Sequence, residues 1–148
     1  MGLRFSRCDP RRIAVVGHSQ GGGVALQIAS AYPADDFEMP VGLQFKAAIA
    51  FYPPCALAAD QLIIPTIVLI GELDDWTPIN DCQRWLDRRG GRGATVKLIV
   101  NRGAYHAFDN PDAGDGVRQF GHWLKYNPAA AERSTSEMHD FLAEELAN

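Results

Sequence analysis

A glycine-rich segment near the start of the sequence carries a residue that could act as a nucleophile. Residues 17–22 read GHSQGG and fit the pattern G-x-S-x-G, directly after an apolar run and directly before a helical pattern. A sharp strand-to-helix turn holds such a serine in a strained backbone conformation, and small residues at Gly17 and Gly21 avoid Cβ clashes there. We therefore expect Ser19 to be a nucleophile, with the Gln20 backbone N–H donating to an oxyanion.

An acidic segment follows the third apolar run and could supply a carboxylate. Residues 71–78 read GELDDWTP. A serine nucleophile needs a base and an orienting carboxylate, in the chain order serine, acid, histidine. Open α/β sheets place their sites at the carboxyl ends of the strands, where this segment falls. We expect Asp74 to be the acid and keep Asp75 as the alternative, although either carboxylate could instead only stabilise the start of the following helix.

One of the four histidines lies where a base is required. His106 follows the fourth apolar run in a loop. His122 and His139 fall in helical patterns, and His18 flanks the serine. We therefore expect His106 to be the base. A metal site made of His18, His106 and a carboxylate lacks the usual ligand spacing, so neither a metal nor a cofactor is expected.

Four apolar runs alternate with helical patterns and predict an α/β fold with a mostly parallel sheet flanked by helices. Continuous apolar runs indicate strands that are buried on both faces. The predicted strands are residues 13–16, 47–51, 66–70 and 95–100. The predicted helices are residues 20–32, a helix from Pro78 to the Gly90-Gly91 stop with Thr77 as its N-cap, a short helix over 117–124, and a last helix after Asn127. The expected long loops are residues 33–44 and 101–116.

The composition predicts one globular domain, residues 1–148. The chain is 47% hydrophobic and 22% charged, with a net charge of −4, which excludes disordered, collagen-like and coiled-coil proteins. The negative charge gives no overall case for nucleic acid or an anionic membrane as a partner. No apolar run reaches the roughly 20 residues of a membrane span. The first residues lack the apolar core of a signal peptide.

These motifs occur together in one known family. The sequence resembles the dienelactone hydrolase family of α/β-hydrolases over nearly the whole chain, in the family's order. The matching stretches are DPRRI (9–13), GHSQGG (17–22), FYP (51–53), GELDDWTP (71–78), GAYHAF (103–108) and YNPAA (126–130). The resemblance implies Ser19 as nucleophile, Asp74 as acid through the G-x-x-D-x-x-x-P spacing, and His106 as base. It also implies that a small carboxylic ester or lactone is hydrolysed through an acyl-enzyme.

Two features depart from the family pattern. Founding members use Cys as the nucleophile, whereas Ser19 stands here, and many relatives with Ser are esterase-like. The chain also begins almost at the strand that precedes Ser19, so the family's N-terminal strands and second oxyanion donor are missing. The strand at 12–17 would then have an open apolar edge, which is prone to pairing. We expect a missing N-terminal half, or another subunit of a homo-oligomer, to cover that edge.

The resemblance also concerns two cysteines. Relatives with this Tyr-Pro-x-Cys and Asp-Asp-Trp-Thr-Pro arrangement look able to form a disulfide, here between Cys55 and Cys82, and two free thiols are the alternative. The default location is the cytoplasm, whereas a disulfide would indicate a periplasmic or secreted protein. Apart from the resemblance, Tyr52 and Trp76 fall in loops at the same edge of the predicted sheet, so they are candidate walls of a substrate pocket, or they only pack the loops down.

Other functions are compatible with the same residues. A peptidase or an acyltransferase can use the same triad, because the pocket selects the leaving group and the acceptor. A non-catalytic module, a truncated hydrolase domain that acts as an interaction piece, is favoured by the missing half. The joint presence of Ser19, Asp74 and His106 disfavours it. The expected partner is therefore a small ester or lactone.

Overall fold

In the part of the chain that the structure describes, four parallel strands form the sheet on which the fold is built. The computed structural model describes residues 9–31 and 44–147. The strands are β1 (Ile13–His18), β2 (Phe45–Phe51), β3 (Thr66–Gly71) and β4 (Val96–Asn101), in the spatial order β1-β2-β3-β4. All three strand pairs are parallel, so the carboxyl ends of the four strands lie at one edge of the sheet. The four predicted strands are confirmed.

In the described ranges, three α-helices accompany the sheet. They are α1 (Gln20–Ile28), α2 (Ile79–Arg89) and α3 (Pro128–Glu145). The predicted start of α3 is confirmed, because the Asn127 side chain accepts a hydrogen bond from the Ala130 N–H at 3.1 Å. The predicted start of α2 is wrong by one residue: Pro78 is the N-cap, and Thr77 contacts other groups. Within the described ranges, no helix combines the length and apolarity needed to cross a membrane.

The two central strands are buried on both faces. All residues of β3 are buried, and so are residues 47–51 of β2. Because neighbouring residues of a strand point to opposite faces, this burial requires packing on both sides of the sheet. α1 packs against β1 and β2, while α3 packs against β2, β3 and β4. The continuous apolar runs in the sequence therefore reflect two-sided burial.

Some predictions fall outside the described residues. These are residue 32 of the first predicted helix and residues 33–43 of the predicted loop. α1 itself ends at Ile28, earlier than predicted, and Ser30 forms an isolated bridge with Leu62. The predicted loop at 101–116 is confirmed from residue 102 onward, since Asn101 ends β4, and it contains a short 3-10 helix at Pro111–Ala113.

Residues 117–124 form a β-hairpin, so the predicted short helix is wrong. Strands β5 (Val117–Gln119) and β6 (His122–Leu124) pair in antiparallel fashion. Between them, Phe120 and Gly121 have φ angles of 50° and 90°. Two successive residues with positive φ suit a two-residue hairpin turn, and glycine adopts such a φ without strain. In so short a segment, apolar residues three apart do not distinguish a helix from a hairpin.

β1 lies at one edge of the sheet. Among the described residues, β1 pairs with β2 alone, and Val16 within it is 46% exposed. The expected open apolar edge is therefore present in this part of the chain. Its coverage by an N-terminal half or by a second subunit stays a prediction.

A disulfide joins the segment after β2 to helix α2. Cys55 lies in a short 3-10 helix, Cys55–Leu57, and its Cα is 4.8 Å from the Cα of Cys82. Both cysteines are buried. β2 and β3 are adjacent and parallel, so the segments that follow them lie side by side. The structure thus favours the disulfide over two free thiols, and a periplasmic or secreted location stays a prediction.

Replacing Cys55 or Cys82 by serine should lower the free energy of unfolding by about 3–4 kcal/mol, because the bridge restricts the unfolded chain. Urea unfolding without reductant measures the loss. The double variant Cys55→Ser/Cys82→Ser should lose little more than either single variant, since both remove one bond. A double loss close to the sum of the single losses would contradict a bond between these two residues.

Candidate active site

The turn between β1 and α1 holds Ser19 in an uncommon backbone conformation. Its φ is 53° and its ψ is −117°, a combination that residues with a side chain rarely adopt. The Ser19 N–H donates to the Phe51 carbonyl at 2.9 Å, which ties the turn to the end of β2. Ser19 is the N-cap of α1, but its side chain makes no capping hydrogen bond. The hydroxyl is therefore available for other contacts.

Glycine is required at two positions of this turn. A Cβ on Gly17 would lie 1.9 Å from the Gly21 carbonyl oxygen, and a Cβ on Gly22 would lie 2.9 Å from the Phe51 carbonyl oxygen. A Cβ on Gly21 would meet nothing within 4 Å. The expected need for a small residue is thus confirmed at Gly17 and wrong at Gly21. Close contact with β2 makes Gly22 the second required glycine.

Ser19, His106 and Asp74 form a chain of hydrogen bonds. His106 Nε2 lies 2.9 Å from Ser19 Oγ, and His106 Nδ1 lies 2.8 Å from Asp74 Oδ2. The side chains of His106 and Asp74 are 3% and 0% exposed. An imidazole that donates from Nδ1 to a carboxylate has Nε2 available to accept from a hydroxyl. This geometry can transfer a proton from the serine to the histidine while the carboxylate orients the ring.

Asp74 is surrounded by hydrogen-bond donors. Its Oδ1 accepts from the backbone N–H groups of Trp76 at 2.9 Å and Thr77 at 2.8 Å. The Thr77 hydroxyl lies 3.0 Å from Asp74 Oδ2, the oxygen that also faces His106. These donors stabilise a carboxylate that has no access to water. The predicted acid is therefore the carboxylate that contacts His106.

Thr77 and Asp75, in the same segment, make contacts that the sequence does not predict. The Thr77 hydroxyl lies 3.0 Å from the Tyr52 carbonyl and 3.0 Å from Asp74 Oδ2. It has a single proton, so it can donate to one of these oxygens at a time. An Asp that accepts from N–H groups two and three residues later is a common turn, and the spacing D-x-x-T is the signal that could have revealed it. Asp75, the alternative acid, is exposed and accepts from the Trp123 N–H at 3.0 Å.

A second set of contacts lies behind the His106 ring. The Tyr52 ring centroid is 4.6 Å from that of His106, and the Tyr52 hydroxyl donates to Asp109 at 2.7 Å. The other oxygen of Asp109 lies 3.0 Å from Nε2 of His18, the neighbour of Ser19. Tyr52 is thus buried behind His106 rather than on the open side of the site. The sequence does not predict a role for Asp109, because its partners are distant in the sequence and no motif marks it.

The two acidic groups of this set differ in their protonation. Burial, followed by the nearby Asp109 charge, raises the pKa of Tyr52 far above its ordinary value, so the phenol stays protonated and donates. Burial also acts to raise the pKa of Asp109, but hydrogen bonds from His18 and Tyr52 outweigh it and hold that pKa below its ordinary value. The Asp109 carboxylate therefore links Tyr52, which packs on the His106 ring, to His18, the residue beside Ser19.

A cleft of about 560 Å³ opens beside Ser19. The residues that line it are His18, Ser19, Gln20, Pro54, Leu57, Trp76, Thr77 and Phe120. Trp76 lies on the cleft as predicted for a wall residue, with its ring centroid 5.0 Å from that of His106. Gln20 is the first residue of α1, so its N–H has no helical acceptor and lies at the positive end of the helix. In residues 9–31 and 44–147, no three His, Cys, Asp or Glu side chains are grouped to hold a metal.

Comparisons with known proteins agree on a family and a fold. The sequence profile of the dienelactone hydrolase family matches residues 3–146. A thermophilic esterase from the Planctomycetes species Thermogutta terrifontis, with propionate bound, superposes with a TM-score of 0.68 at 22% identity, over 92% of this chain and 57% of that chain. The same esterase phosphorylated by paraoxon gives 0.67 at 23% identity, over 92% and 55%. An α/β hydrolase from a Medee basin deep-sea metagenome library gives 0.62 at 17% identity, over 95% and 57%.

These likenesses establish the fold. The four-stranded parallel sheet and its helices match α/β-hydrolase structures, so the predicted fold class is confirmed. The chain spans little more than half the length of the solved structures it matches. No curated protein matches the sequence.

Gly17→Ala should destabilise the turn that carries Ser19, while Gly21→Ala should not. The first change forces a Cβ into the Gly21 carbonyl and should cost about 2–4 kcal/mol in the free energy of unfolding. The second places alanine in a helix without a clash and should stabilise the protein by up to about 1 kcal/mol. Urea unfolding of both variants measures the difference, and equal losses would contradict the geometry of the turn.

Asp109→Asn should lower stability at neutral pH more than in acid. A carboxyl whose pKa is depressed on folding contributes stability above its unfolded pKa, and this contribution is lost as the pH falls through the folded pKa. The difference in urea midpoint between the wild type and the variant should therefore be largest near about pH 6 and shrink near about pH 3. Asp115→Asn, at an exposed position, is the control. A difference that is the same at both pH values would contradict a role for the Asp109 charge.

Proposed function

The chain belongs to the dienelactone hydrolase family, and we propose on this basis that it is a serine hydrolase that cleaves small carboxylic esters or lactones. The observation that carries the proposal is the pair of hydrogen bonds that His106 makes, with Nε2 2.9 Å from Ser19 Oγ and Nδ1 2.8 Å from Asp74 Oδ2. A nucleophile, a base and an orienting carboxylate in this order are what acyl transfer through a serine requires.

The mechanism begins with attack of Ser19 Oγ on the carbonyl carbon of the ester. His106 Nε2 takes the hydroxyl proton as the bond forms, and Asp74 holds the imidazole in the required tautomer. The negative charge that develops on the carbonyl oxygen is stabilised by the Gln20 N–H at the start of α1. His106 then gives the proton to the departing alcohol, which leaves an acyl-enzyme. Water activated by His106 releases the acid and restores Ser19.

The strained backbone at Ser19 supports this proposal. A serine that served only as a helix cap would hold its side chain against the N–H groups of the first turn, and Ser19 does not. The hydroxyl instead lies in hydrogen-bond contact with a buried histidine. The same arrangement disfavours a non-catalytic module, which has no need to keep a buried carboxylate beside that histidine.

Coverage of the β1 edge belongs to the same proposal. Among the described residues, the outer side of β1 has no paired strand, although Val16 and its neighbours are apolar. We propose that a further strand pairs there in the working enzyme, either from the same protein or from a second copy. The second oxyanion donor and more of the substrate pocket would come with it.

Labelling with a fluorophosphonate tests the reaction. The purified chain should form one adduct, located at Ser19 by peptide mass spectrometry, and Ser19→Ala should abolish it. His106→Ala should slow labelling by roughly 10²–10⁴-fold, because the general base is lost. The controls are Ser136→Ala and His139→Ala, both at exposed positions on α3, and they should label at the wild-type rate. An adduct at another serine, or equal rates for both histidine variants, would refute the proposal.

A further inference from the structure

Phe120 occupies an energetically unfavourable position at the tip of the hairpin. Its φ is 50°, and the residue is 82% exposed. An exposed phenylalanine gains nothing from burial, and a left-handed backbone disfavours most residues with a side chain. Asparagine before glycine is the preferred sequence for a turn of this kind. The stability of the hairpin therefore gives no reason for a phenylalanine here.

Backbone strain elsewhere in the chain coincides with the site. Among the described residues, positive φ outside glycine occurs at Ser19, Tyr52, Ala107 and Phe120. Ser19 is the proposed nucleophile, Tyr52 packs on His106, and Ala107 follows His106 directly. Such strain persists where the surrounding structure holds a functional geometry. Phe120 thus belongs to a group whose other three members form or adjoin the site.

The hairpin is attached to the segment that holds Asp74. The Trp123 N–H donates to the Asp75 carboxylate at 3.0 Å. The His122 ring stacks on the Trp76 ring, with centroids 5.1 Å apart and planes 15° from parallel. These contacts place the tip of the hairpin on the cleft beside Ser19.

Phe120 and Trp76 form an aromatic pair on this cleft. Their ring centroids are 6.0 Å apart, and their planes lie at 70°. Pro54 and Leu57 add apolar surface. Of the residues that line the cleft in the described part of the chain, none is Lys, Arg, Asp or Glu. The one histidine among them, His18, already lies 3.0 Å from the Asp109 carboxylate. A charged group on a substrate would therefore find no free ion-pair partner in this lining, whereas an aromatic ring would find two rings to contact.

We propose that Trp76 and Phe120 determine the specificity of the cleft, and that its preferred substrates are uncharged esters with an aromatic group next to the ester bond. This inference rests on the proposed hydrolysis at Ser19 and adds the class of ester. The aromatic group of the substrate lies against the two rings, and its carbonyl carbon lies at Ser19 Oγ. Contact with the substrate's ring accounts for a phenylalanine at this strained and exposed position.

Two matched pairs of esters test the inference on the unmodified chain. Ethyl phenylacetate is compared with ethyl butanoate, and benzyl acetate with butyl acetate, so that the ring is in the acyl or the alcohol part. In at least one pair, kcat/KM should be about tenfold higher for the aromatic ester. Phe120→Asn should bring that ratio close to one, without lowering Tm, because asparagine suits the turn. Val117→Ala, on the same hairpin and not on the cleft, should leave the ratio unchanged.

Ratios near one in both pairs, or a ratio that Phe120→Asn does not change, would overturn the inference. Hydrolysis of the aliphatic esters and labelling of Ser19 would then still support the proposed function, so the two failures are distinguishable. If no ester is hydrolysed, binding of the two ethyl esters to the Ser19→Ala variant is measured by tryptophan fluorescence. Quenching by ethyl phenylacetate but not by ethyl butanoate supports an aromatic site, and equal responses overturn it.

Discussion

The burial of the Asp74 carboxylate is the constraint on which the surrounding structure depends. A carboxylate without access to water is costly unless donors replace the lost hydration. The chain after β3 turns so that the N–H groups of Trp76 and Thr77 reach it, and His106 arrives from the loop after β4. The same turn sets the start of α2. The geometry that satisfies the carboxylate therefore also positions the helix and orients the imidazole.

Local sequence was sufficient to predict the strands of the sheet and to single out Ser19, Asp74 and His106, which the fold brings together. Each buried strand is a continuous apolar run, because β2 and β3 are covered on both faces. Ser19 could be predicted because the glycines around it have a specific steric purpose, at Gly17 above all. Asp74 and His106 follow strands whose carboxyl ends share one edge of the sheet. In each case the signal lies within a few residues of the position that it predicts.

Contacts between distant segments could not be predicted in this way. Asp109 meets Tyr52 across 57 positions, and neither residue carries a motif for the other. Thr77 has the residue type and position of a helix cap. Only the folded chain shows that its hydroxyl lies within hydrogen-bond distance of Asp74 and of the Tyr52 carbonyl instead. The hairpin at 117–124 is set by the left-handed pair at Phe120 and Gly121, and phenylalanine gives no hint of such a backbone.

Ser19 and His106 are 87 positions apart in the sequence, so their hydrogen bond is a long-range contact. Among the described strands of the sheet, β1 and β4 are the outermost, so the loop after β4 must extend past β2 and β3 to reach the serine. The bond therefore forms only when all four strands have assembled, and fraying at either edge of the sheet breaks it. Reactivity of the serine thus reports the integrity of these four strands together, and it would be lost before most of the secondary structure.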